Sequence, residues 1–123
     1  MIRAVAVVVL AAAVLAAPVA AAGGGTRTIA LVTKGKVRAA VTAHETSGGK
    51  APTAAITVIG YRSAAGHRWQ RTRTQRLTGT FFWKTVTGPL ALCRIVLSGS
   101  TLTISVRVTP SIGCGRTNRI ALG

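Results

Sequence analysis

The sequence predicts an all-β domain: a small sandwich of seven to eight antiparallel strands, or a small barrel, carrying one disulfide. Three observations predict it. Several runs alternate apolar and polar residues with the period of two that marks a half-buried strand. Turn-forming residues punctuate those runs at short intervals. Two cysteines, Cys93 and Cys114, stand in a chain that begins like an exported one.

Residues 1–22 read as a signal peptide rather than as structure. Arg3 gives a short positive start, residues 4–17 are unbroken apolar, Pro18 breaks the run, and residues 20–22 form an A-x-A cleavage signal. The alternative is a retained membrane anchor, which needs about 20 apolar residues. No cysteine follows the run until Cys93, which excludes a lipid-anchored cysteine at the cleavage point, and no second apolar stretch predicts a transmembrane span after cleavage. Residues 23–26 then read as a flexible N-terminus and residues 27–123 as a single domain, secreted or held at the cell surface.

Within the domain, residues 36–44 (KVRAAVTAH) place Val37, Ala39, Val41 and Ala43 on one face and Arg38, Thr42 and His44 on the other. In residues 51–63 (APTAAITVIGYRS) Ile56 and Val58 share one parity, Ile59 and Tyr61 the other. That pattern fits either a bulge near Gly60 or a strand apolar on both faces. In residues 90–97 (LALCRIVL) Cys93 shares parity with Ala91, Ile95 and Leu97, which points it inward. Residues 101–109 (TLTISVRVT) alternate most cleanly, with Leu102, Ile104, Val106 and Val108 inward, and Ser98-Gly99-Ser100 reads as the hairpin turn before them. Further turns are expected at Lys34-Gly35, residues 47–50, Ala65-Gly66, Thr78-Gly79, Gly88-Pro89 and residues 110–115. In residues 79–86 (GTFFWKTV) Phe81 shares parity with Trp83, and Phe82 with Val86, so one of the two faces belongs to the core.

An even cysteine count in an exported chain reads first as a disulfide, Cys93 to Cys114, ahead of two free thiols or half of a metal site.

Charge is the other guide. The chain has 16 Lys and Arg against one acid, Glu45; without Arg3 the balance is 15 − 1 = +14. Arginine dominates the bases, and the Ala, Gly, Val and Thr content fits a bacterial genome of high GC content. With no Asp and one Glu, paired-carboxylate catalysis has no residues to use, and a hard-cation site has no anionic ligands. His44 and Glu45, as neighbours on a strand, project to opposite faces, which removes the one simple route to a Ser-His-acid triad. No nucleophile elbow, phosphate-cradling glycine loop or familiar zinc-ligand spacing is present. The expectation is a protein without catalytic residues, metal or cofactor.

The segment that draws attention is residues 67–76, HRWQRTRTQR. Strict alternation puts Trp69, Arg71, Arg73, Gln75 and Leu77 on one face and Arg68, Gln70, Thr72, Thr74 and Arg76 on the other. Buried unpaired guanidinium groups are very costly, so this strand belongs at a sheet edge, where charge also discourages edge-to-edge association. Arg68, Trp69, Arg71, Arg73 and Arg76 are the candidate polyanion-binding residues: arginine matches phosphate and carboxylate with a planar fork, and tryptophan stacks on sugars or bases. No nucleic-acid motif is present and the chain is expected outside the cytoplasm, so the expected partner is an anionic polymer or the envelope surface, cell-wall polymers or lipid headgroups, rather than DNA or RNA. The alternative is a secreted inhibitor or toxin that binds another protein through the loop at residues 110–115, anchored by the disulfide.

Residues 51–88, through Val58, Tyr61, Trp69, Gly79 and Phe81, resemble the middle of bacterial secreted immunoglobulin-like repeats. The resemblance implies an immunoglobulin-like sandwich and a spacer, adhesin or binding module with no catalytic residues. In that family the disulfide usually joins the two sheets with a tryptophan packed on it, whereas both cysteines here follow both tryptophans.

Overall fold

The alternating runs form two antiparallel sheets around one core. A computed structural model describes residues 25–47, 49–65 and 68–123; the expected signal segment 1–22 and His67 lie outside the described residues. The first sheet contains β1 (Thr26–Lys34), β2 (Val37–Glu45), β3 (Thr53–Ser63) and β4 (Trp69–Arg76) in that order, with the short β5 (Phe81–Phe82) continuing the β4 side of β3. A single helical turn, α1 (Trp83–Val86), follows. The second sheet has β6 (Leu92–Ser98) beside β7 (Thr101–Thr109), and the far edge of β7 is shared by β8 (Gly113–Cys114) and β9 (Asn118–Ala121). All pairings are antiparallel.

Strand β1 starts at Thr26, and the Gly25 carbonyl accepts from the Glu45 amide at 2.9 Å. Part of the segment expected to be flexible, residues 23–26, is therefore already paired. The turns fall where glycine permits them: Gly99 adopts φ 60° between β6 and β7, a left-handed conformation that costs glycine little.

The core is built from the inward parity of each long strand. Val37, Ala39, Val41 and Ala43 of β2, Ala54, Ile56 and Val58 of β3, and Leu102, Ile104 and Val106 of β7 are buried together with Leu77, Phe81, Val86, Leu97, Ile120 and Leu122. Strand β3 keeps unbroken alternation, buried at Ala54, Ile56, Val58 and Gly60, while Ile59 and Tyr61 are half-buried on its other face. It is thus a strand apolar on both faces.

The irregularity near Gly60 lies on its partner. Gly60 opposes Arg73 and Tyr61 opposes Arg71, which leaves Thr72 as an extra residue in β4. A Cβ on Gly60 would meet Leu122 at 3.0 Å and Thr72 Oγ1 at 3.1 Å, and the Thr72 hydroxyl donates to the Leu122 carbonyl. Glycine is needed here because the end of β9 packs directly onto the β3 backbone.

Two expectations are corrected by such local irregularities. Cys93 is the extra residue of a bulge between Leu92 and Arg94, so its inward parity is lost. It is half-buried, Cys114 is exposed, and neither joins the core cluster. The disulfide between them, with Cα atoms 6.0 Å apart, links β6 to β8 across β7 inside the second sheet and does not join the two sheets. The run expected to continue as a strand through Trp83 and Val86 instead turns helical. Phe81 and Val86 are both buried, and the Thr87 and Gly88 amides close the turn by donating to the carbonyls of Trp83 and Thr85.

Candidate functional site

Pairing in the first sheet aligns residues into rows across its outer face. Thr33 of β1 opposes Arg38 of β2, Arg38 opposes Tyr61 of β3, and Tyr61 opposes Arg71 of β4. The next row runs Leu31, Ala40, Ile59, Thr74, and the one after it Thr28, Thr42, Thr57, Arg76. Directly opposed residues share a face, so this surface has an apolar middle, Leu31, Ala40, Ile59 and Tyr61, framed by arginine and threonine. Leu31 is 58% exposed.

Trp69 opposes Ser63 at the end of this face, and the Arg38 guanidinium lies 4.1 Å from the centroid of its ring. A cation over the negative face of an indole is held electrostatically, by about 0.5–1 kcal/mol at an exposed site. Arg38 is fixed a second way, donating from Nε to Thr33 Oγ1 at 2.9 Å. Trp69, Tyr61, Arg38, Leu31, Ala40 and Thr28 together line a shallow depression of about 230 Å³. Adjacent strands lie about 4.8 Å apart, so the backbones of Arg38 and Arg71, two strands apart in one row, are separated by about 10 Å. Glu45, the sole acid, sits at the last position of β2, beyond these rows, so the face presents cationic and hydroxyl groups with no competing carboxylate.

The five arginine and tryptophan residues expected to form one binding strip are therefore divided. Strand β4 does lie at the edge of its sheet. Trp69, Arg71 and Arg76 lie in the outer-face rows, the last two exposed. Arg73 does not join them. The Thr72 bulge shifts its parity, so it opposes the inward-facing Gly60 and donates from Nη2 to Gln75 Oε1 at 3.0 Å. The expected sharing of one face by Trp69, Arg71, Arg73 and Leu77 is thus overturned: Leu77 is core, and Arg73 lies on the side of Gln75 and Leu77, away from Trp69 and Arg71. Arg68 precedes the strand, exposed, and its carbonyl accepts from the Ala64 amide at 2.7 Å.

Arg38 and Tyr61 were absent from the expected site. Each is visible in the sequence as an outward residue, but only the register between strands shows that they meet Trp69 and Arg71. Elsewhere arginine is committed to the fold: Arg107, half-buried on β7, donates from Nε to the Leu90 carbonyl at 2.8 Å. His44, exposed as expected, is hydrogen-bonded through Nδ1 to Thr26 Oγ1 at 2.7 Å. Among the described residues no helix is long and apolar enough to cross a membrane. Comparison with known proteins adds no relative to this geometry: no family model, no curated protein and no solved structure matches the chain.

Proposed function

We propose that the chain is an exported, non-catalytic binding module that holds anionic envelope polymers on the outer face of its first sheet. The observation that carries this reading is the row in which Arg38, stacked on Trp69, and Arg71 flank Tyr61. Arg38 is pre-positioned by its stack and its bond to Thr33, so less side-chain entropy is lost when an anion engages it. Arg76 extends the cationic row of residues along β4, and Arg68 and Arg73 contribute long-range field rather than contacts on this face. A repeating phosphate or carboxylate polymer meets guanidinium groups, hydroxyls and an apolar floor, with no like charge to repel it.

The immunoglobulin-like part of the reading is limited to layer architecture. Immunoglobulin domains distribute neighbouring strands between two sheets by Greek-key connections, whereas here β1 to β5 belong to one sheet and β6 to β9 to the other.

The test is titration of sodium polyphosphate into the protein, followed by Trp fluorescence. Affinity should fall steeply with added salt, and Arg38→Ser or Arg71→Ser alone should each weaken binding about fivefold or more, since each ionic hydrogen bond carries roughly 1 kcal/mol or more. Arg73→Ser, removing the same charge from the other face, should change affinity about twofold or less. Equal losses from Arg71 and Arg73 would mean that net charge alone, and no site, governs binding.

A second reading, an inhibitor or toxin docking on another protein, is favoured by Ile112, exposed on the loop that ends at the disulfide. Its signature is capture of one partner that persists at high salt and is abolished by Ile112→Asp.

A further inference from the structure

The two most exposed large apolar side chains among the described residues are Leu90 (67%) and Ile112 (70%). They lie on different loops at one corner of the molecule, the β6 approach and the β7–β8 turn. Leu90 and Pro110 border the same depression of about 500 Å³, together with Pro89, Gly88, Thr85, Lys84 and Arg107. Ile112 follows Pro110 by two positions.

This corner is built stiff. Arg107 ties the Leu90 carbonyl with Nε and the Ala91 carbonyl with its amide, at 2.8 Å each. The Ile112 amide donates to Thr109 Oγ1 at 2.9 Å, and the loop closes at the Cys93–Cys114 disulfide. Rigid apolar tips held in water gain nothing for the fold itself, because they are turned away from its core.

The chain enters the fold beside this corner. Gly25 packs against Trp83 of α1, the turn whose Lys84 and Thr85 line the depression, and Arg27 donates to the carbonyl of Thr87. The aliphatic patch, Pro89, Leu90, Pro110 and Ile112, contains no aromatic anchor of the kind that dominates protein interfaces. Its neighbours Lys84 and Arg107 are cations.

We propose that this corner docks on an anionic bilayer: Leu90 and Ile112 enter the boundary between headgroups and acyl chains, and Lys84 with the free N–H groups of Arg107 meets the lipid phosphates. Shallow apolar insertion and electrostatic attraction to anionic lipid reinforce one another in such sites. The site is separate from the Arg38–Trp69 face, so the two bind different anions through different residues.

The experiment uses the full chain with vesicles of equimolar phosphatidylcholine and phosphatidylglycerol, the phosphatidylcholine brominated on its acyl chains. Two reporters are compared with the native protein, Ile112→Trp and Leu31→Trp. Quenching and a blue shift confined to Ile112→Trp are expected. Because the reading is local to the tip, it separates corner insertion from binding by residues 4–17 alone. Joint Leu90→Ser and Ile112→Ser should lower vesicle affinity about tenfold or more, given the transfer free energy of two aliphatic side chains, while leaving polyphosphate binding intact. Equal quenching of Leu31→Trp would overturn the proposal, as would unchanged affinity of the double variant. Absence of quenching at Ile112 together with its salt-resistant capture by a protein would also overturn it and assign the corner to that partner.

Discussion

The first sheet is made from long neighbours: β1 to β4 run eight to eleven residues and follow one another through short connections. The second sheet has one comparable hairpin, β6 with β7, and its other edge is divided between strands of two and four residues. The first sheet holds its register by alternation on both faces, with Ile56 and Val58 toward the core and Ile59 and Tyr61 away from it. The second places a covalent bond across β7, where β8 is too short to hold itself. The difference teaches where stability is concentrated and where surface is free. A sheet secured by length can expose a semi-apolar outer face, whereas one secured by a staple can hold stiff loops at its end.

The most severe way to break this contrast is within β3. Ile56→Ala, at a fully buried position, should cost about 4 kcal/mol, and Ile59→Ala on the outer face about 1 kcal/mol, measured by urea denaturation. Similar losses would show that the outer face is as tightly packed as the core, leaving no open surface for a polymer.

Opening the disulfide by Cys93→Ser with Cys114→Ser should cost about 3 kcal/mol, given 21 residues of sequence separation and the loop-entropy relation. Native-state hydrogen exchange should rise first in β6 to β8, with β2 and β3 retaining protection. Uniform loss across both sheets would erase the distinction between a stapled sheet and a self-supporting one.

Gly60→Ala should cost about 2 kcal/mol, because its Cβ meets Leu122 at 3.0 Å and the end of β9 must shift. Thermal melting checks this, and joint Gly60→Ala with Leu122→Ala should recover part of the loss. The smallest effects belong to the outer face. Trp69→Ala should cost about 1 kcal/mol through lost packing and its stack with Arg38, and Arg71→Ser should leave the melting temperature unchanged. Added salt should raise the melting temperature modestly, since a domain of +14 with one carboxylate repels itself.

Much of the backbone organisation was legible in the residues. KVRAAVTAH and TLTISVRVT alternate cleanly and became β2 and β7, and the Ser98-Gly99-Ser100 turn joins β6 to β7. The edge position of β4 followed from the cost of burying guanidinium groups. What could not be read was parity past a bulge. Thr72 and Cys93 are extra residues only with respect to the strands opposite them, and nothing in their own segments marks them. The consequence reached the site: Arg73 left the face shared by Trp69 and Arg71, and Arg38 and Tyr61 joined it. The helical turn at Trp83 was hidden for a similar reason, since a four-residue turn is too short to establish a helical period.

The chain passes from one sheet to the other a single time, between β5 and β6. Hairpins between sequence neighbours close small loops, which makes their formation fast relative to pairings that span the chain. A polypeptide emerging from its N-terminal side therefore meets the partners of β1 to β4 before β6 exists, and the first sheet can assemble as a half-covered layer. Its unfinished inner face, Val41, Ile56 and Val58, must wait for Leu102, Ile104 and Val106. During that interval the arginine-bearing edge of β4 opposes edge-to-edge pairing between incomplete copies, so its charge guards the half-built layer as well as the finished one.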